Sequence, residues 1–202
     1  MRISIDGNIG SGKSTQIRLL AALDKYSVWP EKIDTWPLKQ FYDDPSLFAL
    51  PMQTAVLHSM NHEANGIYER CPLSGKEVFW RSMVQSNMVN SVQEDCFNEM
   101  YSKLGWSPDF YIYLDTPVDL CYDRIKDGKR NQFGDTTITK EYLTQLKNNY
   151  ETLWDAMPCP KARVGGDRSV EEIHKVLCSL ISDAAVFGDL KEGSAVQTDN
   201  TI

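Results

Sequence analysis

Three features that mark large protein classes are missing from this sequence. No apolar run approaches the roughly 18 residues that cross a bilayer, so we expect no membrane partner. Basic residues do not predominate, because 21 Lys and Arg stand against 28 Asp and Glu, a net charge of −7. This balance disfavours a nucleic-acid-binding surface. The five cysteines are odd in number and form no C-x-x-C pair, which predicts reduced thiols rather than a disulfide or zinc framework.

The chain also offers little room for a targeting segment. The first predicted strand begins at Arg2, which leaves no space for a signal or transit peptide, so we expect a cytoplasmic protein. A length of 202 residues with a 42% apolar share suits one domain, which we place at 1–186. Residues 187–202 are small, polar and charged, and they predict a disordered tail.

Strand-like and helix-like segments alternate along the chain. The strands are predicted at 2–6, 26–29, 66–70, 110–114 and 161–164. The helices are predicted at 13–24, 45–62, 77–104, 117–127, 139–154 and 169–184, with a kink or break at Pro51. Strands that alternate with helices form a parallel sheet covered on both faces. The sequence therefore predicts an α/β fold, in which a five-stranded P-loop NTPase-like sheet carries helices on both faces.

The segment at 7–14 reads G-N-I-G-S-G-K-S and matches the phosphate-loop pattern G-x-x-x-x-G-K-[ST]. Its glycines let the backbone curl so that successive N–H groups point at phosphate, and the helix that follows adds a positive potential. Lys13 can reach the outer phosphates, and the Ser14 hydroxyl can bind Mg²⁺. The residues predicted to bind ATP are Gly7, Asn8, Ile9, Gly10, Ser11, Gly12, Lys13, Ser14 and Thr15.

This loop does not by itself select a reaction. A regulatory GTPase needs N-K-x-D and D-x-x-G motifs, and neither occurs in the chain. A small-molecule kinase remains, and such an enzyme needs an acceptor site. Glu31 follows the second predicted strand, at the sheet edge where open α/β folds bind ligands. A carboxylate there can accept the proton of a hydroxyl that attacks the γ-phosphate.

Further motifs follow Glu31 and Trp36 in a fixed order. They read F-Y-D-D-P at 41–45, F-A-L-P-M-Q at 48–53 and E-R at 69–70. With this order and spacing, the chain resembles the deoxynucleoside kinase family from residue 3 to about 181, in particular its thymidine and deoxypyrimidine kinases. The resemblance implies 5′-phosphorylation of a deoxynucleoside by ATP with Mg²⁺, giving the monophosphate and ADP. It also implies a homodimer joined through long helices, among them the one predicted at 77–104.

The resemblance assigns roles around the nucleoside. Glu31 matches the general base, and Trp36 matches a wall beside the nucleoside. Tyr42 matches the tyrosine that contacts the sugar 3′-hydroxyl. Gln53 matches the glutamine that reads the base edge, and Phe79 matches the aromatic ring that stacks on the base.

Charged residues complete the implied catalytic set. Glu69 would help to hold Mg²⁺ together with Ser14, while Arg70 would steady the phosphates and Glu31. The segment at about 124–137 resembles the flexible lid, in which Arg124 and Arg130 would close over the transferred phosphate beside Lys13.

The predicted lid departs from the family pattern in one place. Gly128 and Lys129 stand where a further arginine is usual. A lysine is a point charge and cannot form the planar two-pronged contact of an arginine.

Three positions bear on the choice of base. Val56 and Met60 follow Gln53 by one and two helical turns, and Gly75 lies on the loop after the third strand. By resemblance, small or apolar residues here leave room for the 5-methyl group of thymine. We therefore expect thymidine as the substrate, with deoxycytidine as a second one.

Two alternatives stay open at this point. Thymidylate kinase shares the loop and the Asp-Arg-Ser-x-Glu-Glu start of the last helix, but its nucleotide acceptor needs additional cations and no base. A nucleotide-binding module without catalysis is a more distant alternative. Lys13, Ser14, Glu31 and Arg70 together argue against it.

Overall fold

The computed structural model describes residues 1–60, 65–127 and 138–192, with side chains described up to residue 184. The described residues form one five-stranded sheet in the order β2-β3-β1-β4-β5, and every strand pair in it is parallel. The strands are β1 (Arg2–Gly7), β2 (Val28–Trp29), β3 (Gly66–Glu69), β4 (Phe110–Asp115) and β5 (Lys161–Gly165). The predicted five-stranded parallel sheet is therefore confirmed.

The sheet is built around β1 and β4, which are its most buried strands. Ile5 and Ile112 are fully buried and lie opposite each other in the register of these strands. They belong to a core that includes Leu20 of the first helix and Leu177 of the last. β4 reads F-Y-I-Y-L over residues 110–114, and this uninterrupted apolar run is typical of a strand buried on both faces.

Helices connect the strands and cover the sheet. They are α1 (Lys13–Ala21), α2 (Leu38–Asp43), α3 (Pro45–Ser59), α4 (Pro72–Ser74), α5 (Arg81–Gln85), α6 (Ser91–Leu104), α7 (Val118–Asp127), α8 (Lys140–Ala156) and α9 (Val170–Glu192). A 3₁₀ turn at Ile33–Thr35 precedes α2, and a π-helical turn at Gly75–Trp80 joins α4 to α5. None of the helices in the described ranges is long and apolar enough to cross a membrane.

The prediction of a single helix at 77–104 is wrong. The chain leaves the helix after Gln85, Asn87 adopts a left-handed φ of 52°, and α6 begins at Ser91. Asn90 caps α6, since its side chain accepts from the Gln93 N–H at 3.0 Å and its own N–H donates to the Gln93 side chain at 2.9 Å. Apolar spacing continues across this break, which is why periodicity alone joined the two helices.

The other helix boundaries agree with the predictions in part. α3 runs through Pro51 without ending, so the predicted break is absent. The predicted caps are confirmed, because Thr139 accepts from the Tyr142 N–H at 3.2 Å and Ser169 from the Glu172 N–H at 3.2 Å. α2 was not predicted. α9 continues to Glu192, beyond the domain end that we predicted at residue 186.

Candidate active site

The phosphate loop links β1 to α1 at the carboxyl edge of the sheet. Gly10 and Gly12 have left-handed φ values of 78° and 102°. A Cβ atom at Gly10 would lie 2.5 Å from the Cys121 carbonyl oxygen on α7, so only glycine fits at this close approach. The loop therefore takes the curled form that aims backbone N–H groups at a phosphate.

Hydrogen bonds to other parts of the chain hold this loop in place. Asn8 is 1% exposed, and its amide donates to the Leu143 carbonyl on α8 at 2.8 Å. The Thr116 hydroxyl donates to the Ser11 carbonyl at 3.1 Å. Arg124 donates to the same carbonyl at 3.2 Å through Nη1 and to the Gly166 carbonyl at 3.0 Å through Nη2. Residues 9–15 of the loop line a cavity, and Gly7 and Asn8 are not among its lining residues.

Lys13 lies inside the curve of the loop. Its Nζ donates to the carbonyls of Gly7 at 3.0 Å and Asn8 at 2.8 Å, and the residue is 4% exposed. Burial, helped by the nearby Arg70 guanidinium, lowers the pKa of Lys13 to about 8. An incoming phosphate would oppose both effects by supplying negative charge.

The Ser14 and Glu69 side chains are hydrogen-bonded to each other next to the phosphate loop. The Ser14 hydroxyl donates to Glu69 Oε1 at 2.6 Å, and the Glu31 backbone N–H donates to Glu69 Oε2 at 3.3 Å. A hydroxyl and a carboxylate beside a phosphate site fit Mg²⁺, which takes few protein ligands and completes its shell with phosphate oxygens and water. Within the described ranges, no group of three or more His, Cys, Asp or Glu side chains forms a separate metal cluster.

Glu31 and Arg70 form a buried ion pair at the carboxyl ends of β2 and β3. Arg70 Nε lies 2.7 Å from Glu31 Oε1, and the two side chains are 7% and 8% exposed. Burial raises the pKa of Glu31 above its ordinary value, and the Arg70 guanidinium opposes this by favouring the charged form. A carboxylate whose pKa is moved toward neutrality is a better proton acceptor than a solvated one.

Arg70 itself is fixed from several sides. Its Nη1 donates to the Gly7 carbonyl at 2.9 Å and to the Tyr150 hydroxyl, and it lies 3.4 Å from Asp6 Oδ1. Its guanidinium carbon stacks 4.5 Å from the Phe79 ring centroid. Its backbone has a φ of 68°, an unusual value for a residue other than glycine, and such conformations concentrate at functional sites.

The cavity extends from the phosphate loop past Glu31 and Arg70, and its volume is about 640 Å³. All the residues that the sequence predicted around a nucleoside line it, namely Glu31, Trp36, Tyr42, Gln53, Val56, Met60, Arg70, Gly75 and Phe79. Trp36 is held by its Nε1–H, which donates to the Ser59 hydroxyl at 3.1 Å. A Cβ at Gly75 would meet no described atom within 4 Å, so this part of the wall has spare room.

Gln53 differs from the other polar groups of the site. It is 3% exposed and lines the cavity, yet its side-chain amide has no hydrogen-bond partner among residues 1–60, 65–127 and 138–184. Buried amides normally have partners, because an unpaired one loses its bonds to water. This amide is therefore available to a ligand that carries both donor and acceptor groups on one edge.

Several cavity-lining residues were missed by sequence reasoning. They include Ile33, Asp34, Leu38, Phe41, Met52, Met83 and Arg168. Phe41 sits on the unpredicted helix α2, next to Tyr42, and Met83 follows Phe79 by one helical turn. The helical spacing from Phe79 to Met83 could have found the second of these.

Some predictions cannot be placed at the site. Arg130 and the departure at Gly128 and Lys129 lie outside the described residues, as do residues 193–202 of the predicted tail. Arg124, the first residue of the predicted lid, belongs to α7 and lines the cavity next to the loop.

The fold and this site define a class. A parallel sheet with a phosphate loop after β1, and a cavity ending at a buried carboxylate, marks a P-loop phosphate-binding protein with room for a small second ligand. Within this class, the family model "Deoxynucleoside kinase" matches residues 3–186. The chain therefore belongs to the deoxynucleoside kinase family.

Individual relatives agree with this placement. The chain is 32% identical over 181 residues to a protein of Invertebrate iridescent virus 6 designated 143R, covering 85% of this chain and 91% of the relative. It is 28% identical over 188 residues to a thymidine kinase of Ictalurid herpesvirus 1, covering 84% and 80%. Further relatives carry the name deoxycytidine kinase.

A solved structure matches the same architecture. Deoxyadenosine kinase from M. mycoides, with the products dCMP and dCDP bound, superposes with a TM-score of 0.79 and 24% identity. The match covers 91% of this chain and all of the other. At this identity the likeness establishes the fold, and the relatives' differing names leave the base specificity to the residues of the cavity.

Proposed function

We propose that this kinase transfers the γ-phosphate of ATP to the 5′-hydroxyl of thymidine, with deoxycytidine as a second acceptor. The observation that carries the proposal is Gln53, which is 3% exposed, lines the same cavity as the Glu31–Arg70 pair and has no hydrogen-bond partner for its amide among the described residues. An amide offers one acceptor and two donors in a plane. It can pair with O4 and N3–H of thymine or, turned over, with N3 and the amino group of cytosine.

The catalytic steps follow from the positions of the charged groups. Glu31 would accept the proton of the 5′-hydroxyl as that oxygen attacks phosphorus, and Arg70 would hold the Glu31 carboxylate in line. Lys13 and the loop N–H groups would stabilise the charge on the phosphate oxygens. Ser14 and Glu69 would hold Mg²⁺, which neutralises phosphate charge when bound.

The cavity wall supports a pyrimidine with a 5-substituent. Val56 and Met60 are 7% and 6% exposed and contribute only apolar surface beside Gln53. The open space at Gly75 adds room without adding charge. Nothing in this wall selects thymine over cytosine by hydrogen bonding, because Gln53 can serve both. We therefore expect both pyrimidines to be phosphorylated.

One assay tests the proposal directly. The protein is incubated with ATP, Mg²⁺ and, separately, each of the four deoxynucleosides and thymidine monophosphate. We expect product from thymidine and deoxycytidine. Product from thymidine monophosphate alone would overturn the proposal in favour of a thymidylate kinase. ATP binding without transfer to any acceptor would instead indicate a non-catalytic nucleotide-binding module.

We also propose a homodimer, on the strength of the family resemblance. Because the predicted helix at 77–104 is broken, the contact surface must be assigned differently. α3 and α6 pack side by side, and Leu47 and Val92 on them are 61% and 68% exposed. Light scattering on the purified protein measures the mass, and a monomer at micromolar concentration would contradict this proposal.

A further inference from the structure

A buried tyrosine separates two carboxylates that can both bind Arg70. On one side, Arg70 Nε lies 2.7 Å from Glu31 Oε1. On the other, Arg70 Nη1 lies 3.4 Å from Asp6 Oδ1, a long contact for an ion pair. The Tyr150 hydroxyl lies between the second pair, since it accepts from Arg70 Nη1 and donates to Asp6 Oδ1 at 2.7 Å.

Asp6 has an unused capacity to bind this arginine. The residue is fully buried on β1, and its Oδ1 accepts from the Gly7 N–H at 2.9 Å as well as from Tyr150. Its Oδ2 has no partner among the described residues. A buried carboxylate with a free oxygen gains strongly from a two-pronged contact with a guanidinium. Without an obstacle, Asp6 would therefore compete with Glu31 for Arg70.

Tyr150 is held firmly enough to act as that obstacle. It is 1% exposed on α8, and its ring stacks on Tyr113 at 5.3 Å and meets Phe79 edge-on at 6.3 Å. Burial raises the pKa of the Tyr150 phenol well above its ordinary value, so the hydroxyl keeps its proton at neutral pH. One hydroxyl with one proton can donate to Asp6 and accept from Arg70 at the same time.

We propose that Tyr150 is a positioning residue, whose hydroxyl limits Asp6 to its single 3.4 Å contact with Arg70 Nη1 and so leaves the guanidinium paired with Glu31. The inference rests on the proposed function, in which Glu31 is the base. Tyr150 is not among the residues that line the cavity, and it reaches the site through its hydrogen bond from Arg70 and its edge-on contact with Phe79.

The test compares Tyr150→Phe, Asp6→Asn and the double variant. In Tyr150→Phe we expect kcat to fall about tenfold, with KM for ATP within about threefold of wild type. Asp6→Asn removes the competing charge, and its new amide group can occupy the place of the unpartnered Oδ2. The double variant should therefore recover kcat to within about threefold of wild type.

Tyr113→Phe serves as the matched control, because it removes a hydroxyl from the same stacked pair without touching Arg70. We expect its kcat to equal that of wild type. A wild-type kcat in Tyr150→Phe would overturn the inference. A lowered kcat that Asp6→Asn fails to restore would overturn it as well, because that outcome indicates only a packing role.

A spectroscopic readout separates this inference from the proposed function. The ¹⁵N resonance of Arg70 Nε, assigned with Arg70→Lys, should move in Glu31→Gln and move in the same direction in Tyr150→Phe. The double variant should return it toward the wild-type position. An unmoved resonance in Tyr150→Phe would overturn the inference even if no deoxynucleoside is phosphorylated. Absence of any transfer by the wild type would overturn the proposed function alone.

Folding is checked by thermal unfolding of each variant. If Tyr150→Phe alone does not fold, the double variant must recover both the folded yield and kcat. A double variant that folds but keeps a kcat tenfold or more below wild type would overturn the inference.

Discussion

The two ends of the cavity satisfy their polar groups in different ways. At the phosphate loop, Lys13, Asn8 and Ser14 are all hydrogen-bonded to neighbouring protein groups before any ligand arrives. At the opposite end, Gln53 is buried between apolar side chains and has no partner in the part of the chain that the structure describes. The first end is shaped by its own bonds, whereas the second is completed by its ligand. Substitutions should therefore affect stability at the loop and affinity at the far end.

The largest expected effect is on kcat at Glu31, which lies between the phosphate loop and the Gln53 end of the cavity. Glu31→Gln keeps the shape of the side chain but removes the proton acceptor. We expect kcat to fall by about 10² to 10⁴, the usual range for losing a general base. Steady-state kinetics with thymidine measure this, and Glu99→Gln, an exposed carboxylate on α6, is the matched control. Turnover within a few-fold of wild type would refute Glu31 as the base.

A change at Gln53 should separate affinity from stability. Gln53→Leu removes an amide that has no described partner and leaves an apolar side chain among apolar neighbours. We expect KM for thymidine to rise on the order of tenfold or more, while the free energy of unfolding stays equal or increases. Steady-state kinetics measure the KM, and urea unfolding measures the stability. Gln40→Ala, at an exposed position of α2, is the control. An unchanged KM would mean that Gln53 does not read the base.

The opposite pattern is expected at the loop. Asn8→Ala removes the hydrogen bonds that the Asn8 side chain makes with the Leu143 carbonyl and the Ile9 N–H. The free energy of unfolding should fall by about 1–3 kcal/mol, while KM for thymidine changes little. Asn148→Ala on the exposed face of α8 is the control for urea unfolding. A loss of thymidine affinity without loss of stability would break the contrast between the two ends.

The smallest expected effect is a proton taken up with ATP. In the free protein the pKa of Lys13 is about 8, so at pH 8 about half of the molecules lack the Lys13 proton. Phosphate charge raises that pKa, and binding at pH 8 should take up as much as about half a proton, but little at pH 6.5. Calorimetry in buffers of different ionisation enthalpy measures the uptake.

Lys13→Arg is the control for this measurement, since arginine stays charged throughout this range. Its proton uptake at pH 8 should vanish. Equal uptake in the wild type and in Lys13→Arg would assign the proton to another group.

The sequence predicted the loop and the sheet because their signals are local. Gly10, Gly12 and Lys13 occupy fixed positions in one short motif, and the buried strands reveal themselves by apolar runs. At the nucleoside end of the cavity, the residues other than Glu31 were predicted only through a family resemblance. Glu31 and Gln53 taken singly look like surface residues, and their burial results from packing between distant elements.

Other features lay beyond sequence reasoning for physical reasons. Tyr150 lies 144 positions from Asp6, and no periodicity links a helix residue to a particular carboxylate on a strand. The break between α5 and α6 depends on Asn87 and on the cap at Asn90, while the apolar spacing on both sides continues. Such features are set by tertiary packing and by single-residue backbone conformations, which the composition of a segment does not record.

Helix α8 contacts the phosphate loop, Arg70 and the turn that carries Phe79. The Leu143 carbonyl accepts from Asn8 of the phosphate loop, and the Tyr150 hydroxyl accepts from Arg70. Asn149 donates to the Val78 carbonyl at 3.1 Å, in the turn that carries the cavity-lining Phe79. These three contacts lie within about two turns of one rigid rod. One helix therefore positions the phosphate loop, the arginine that pairs with Glu31 and the turn beside the nucleoside. Substitutions around Gln53 can change the preferred nucleobase without moving the groups that act on the phosphate.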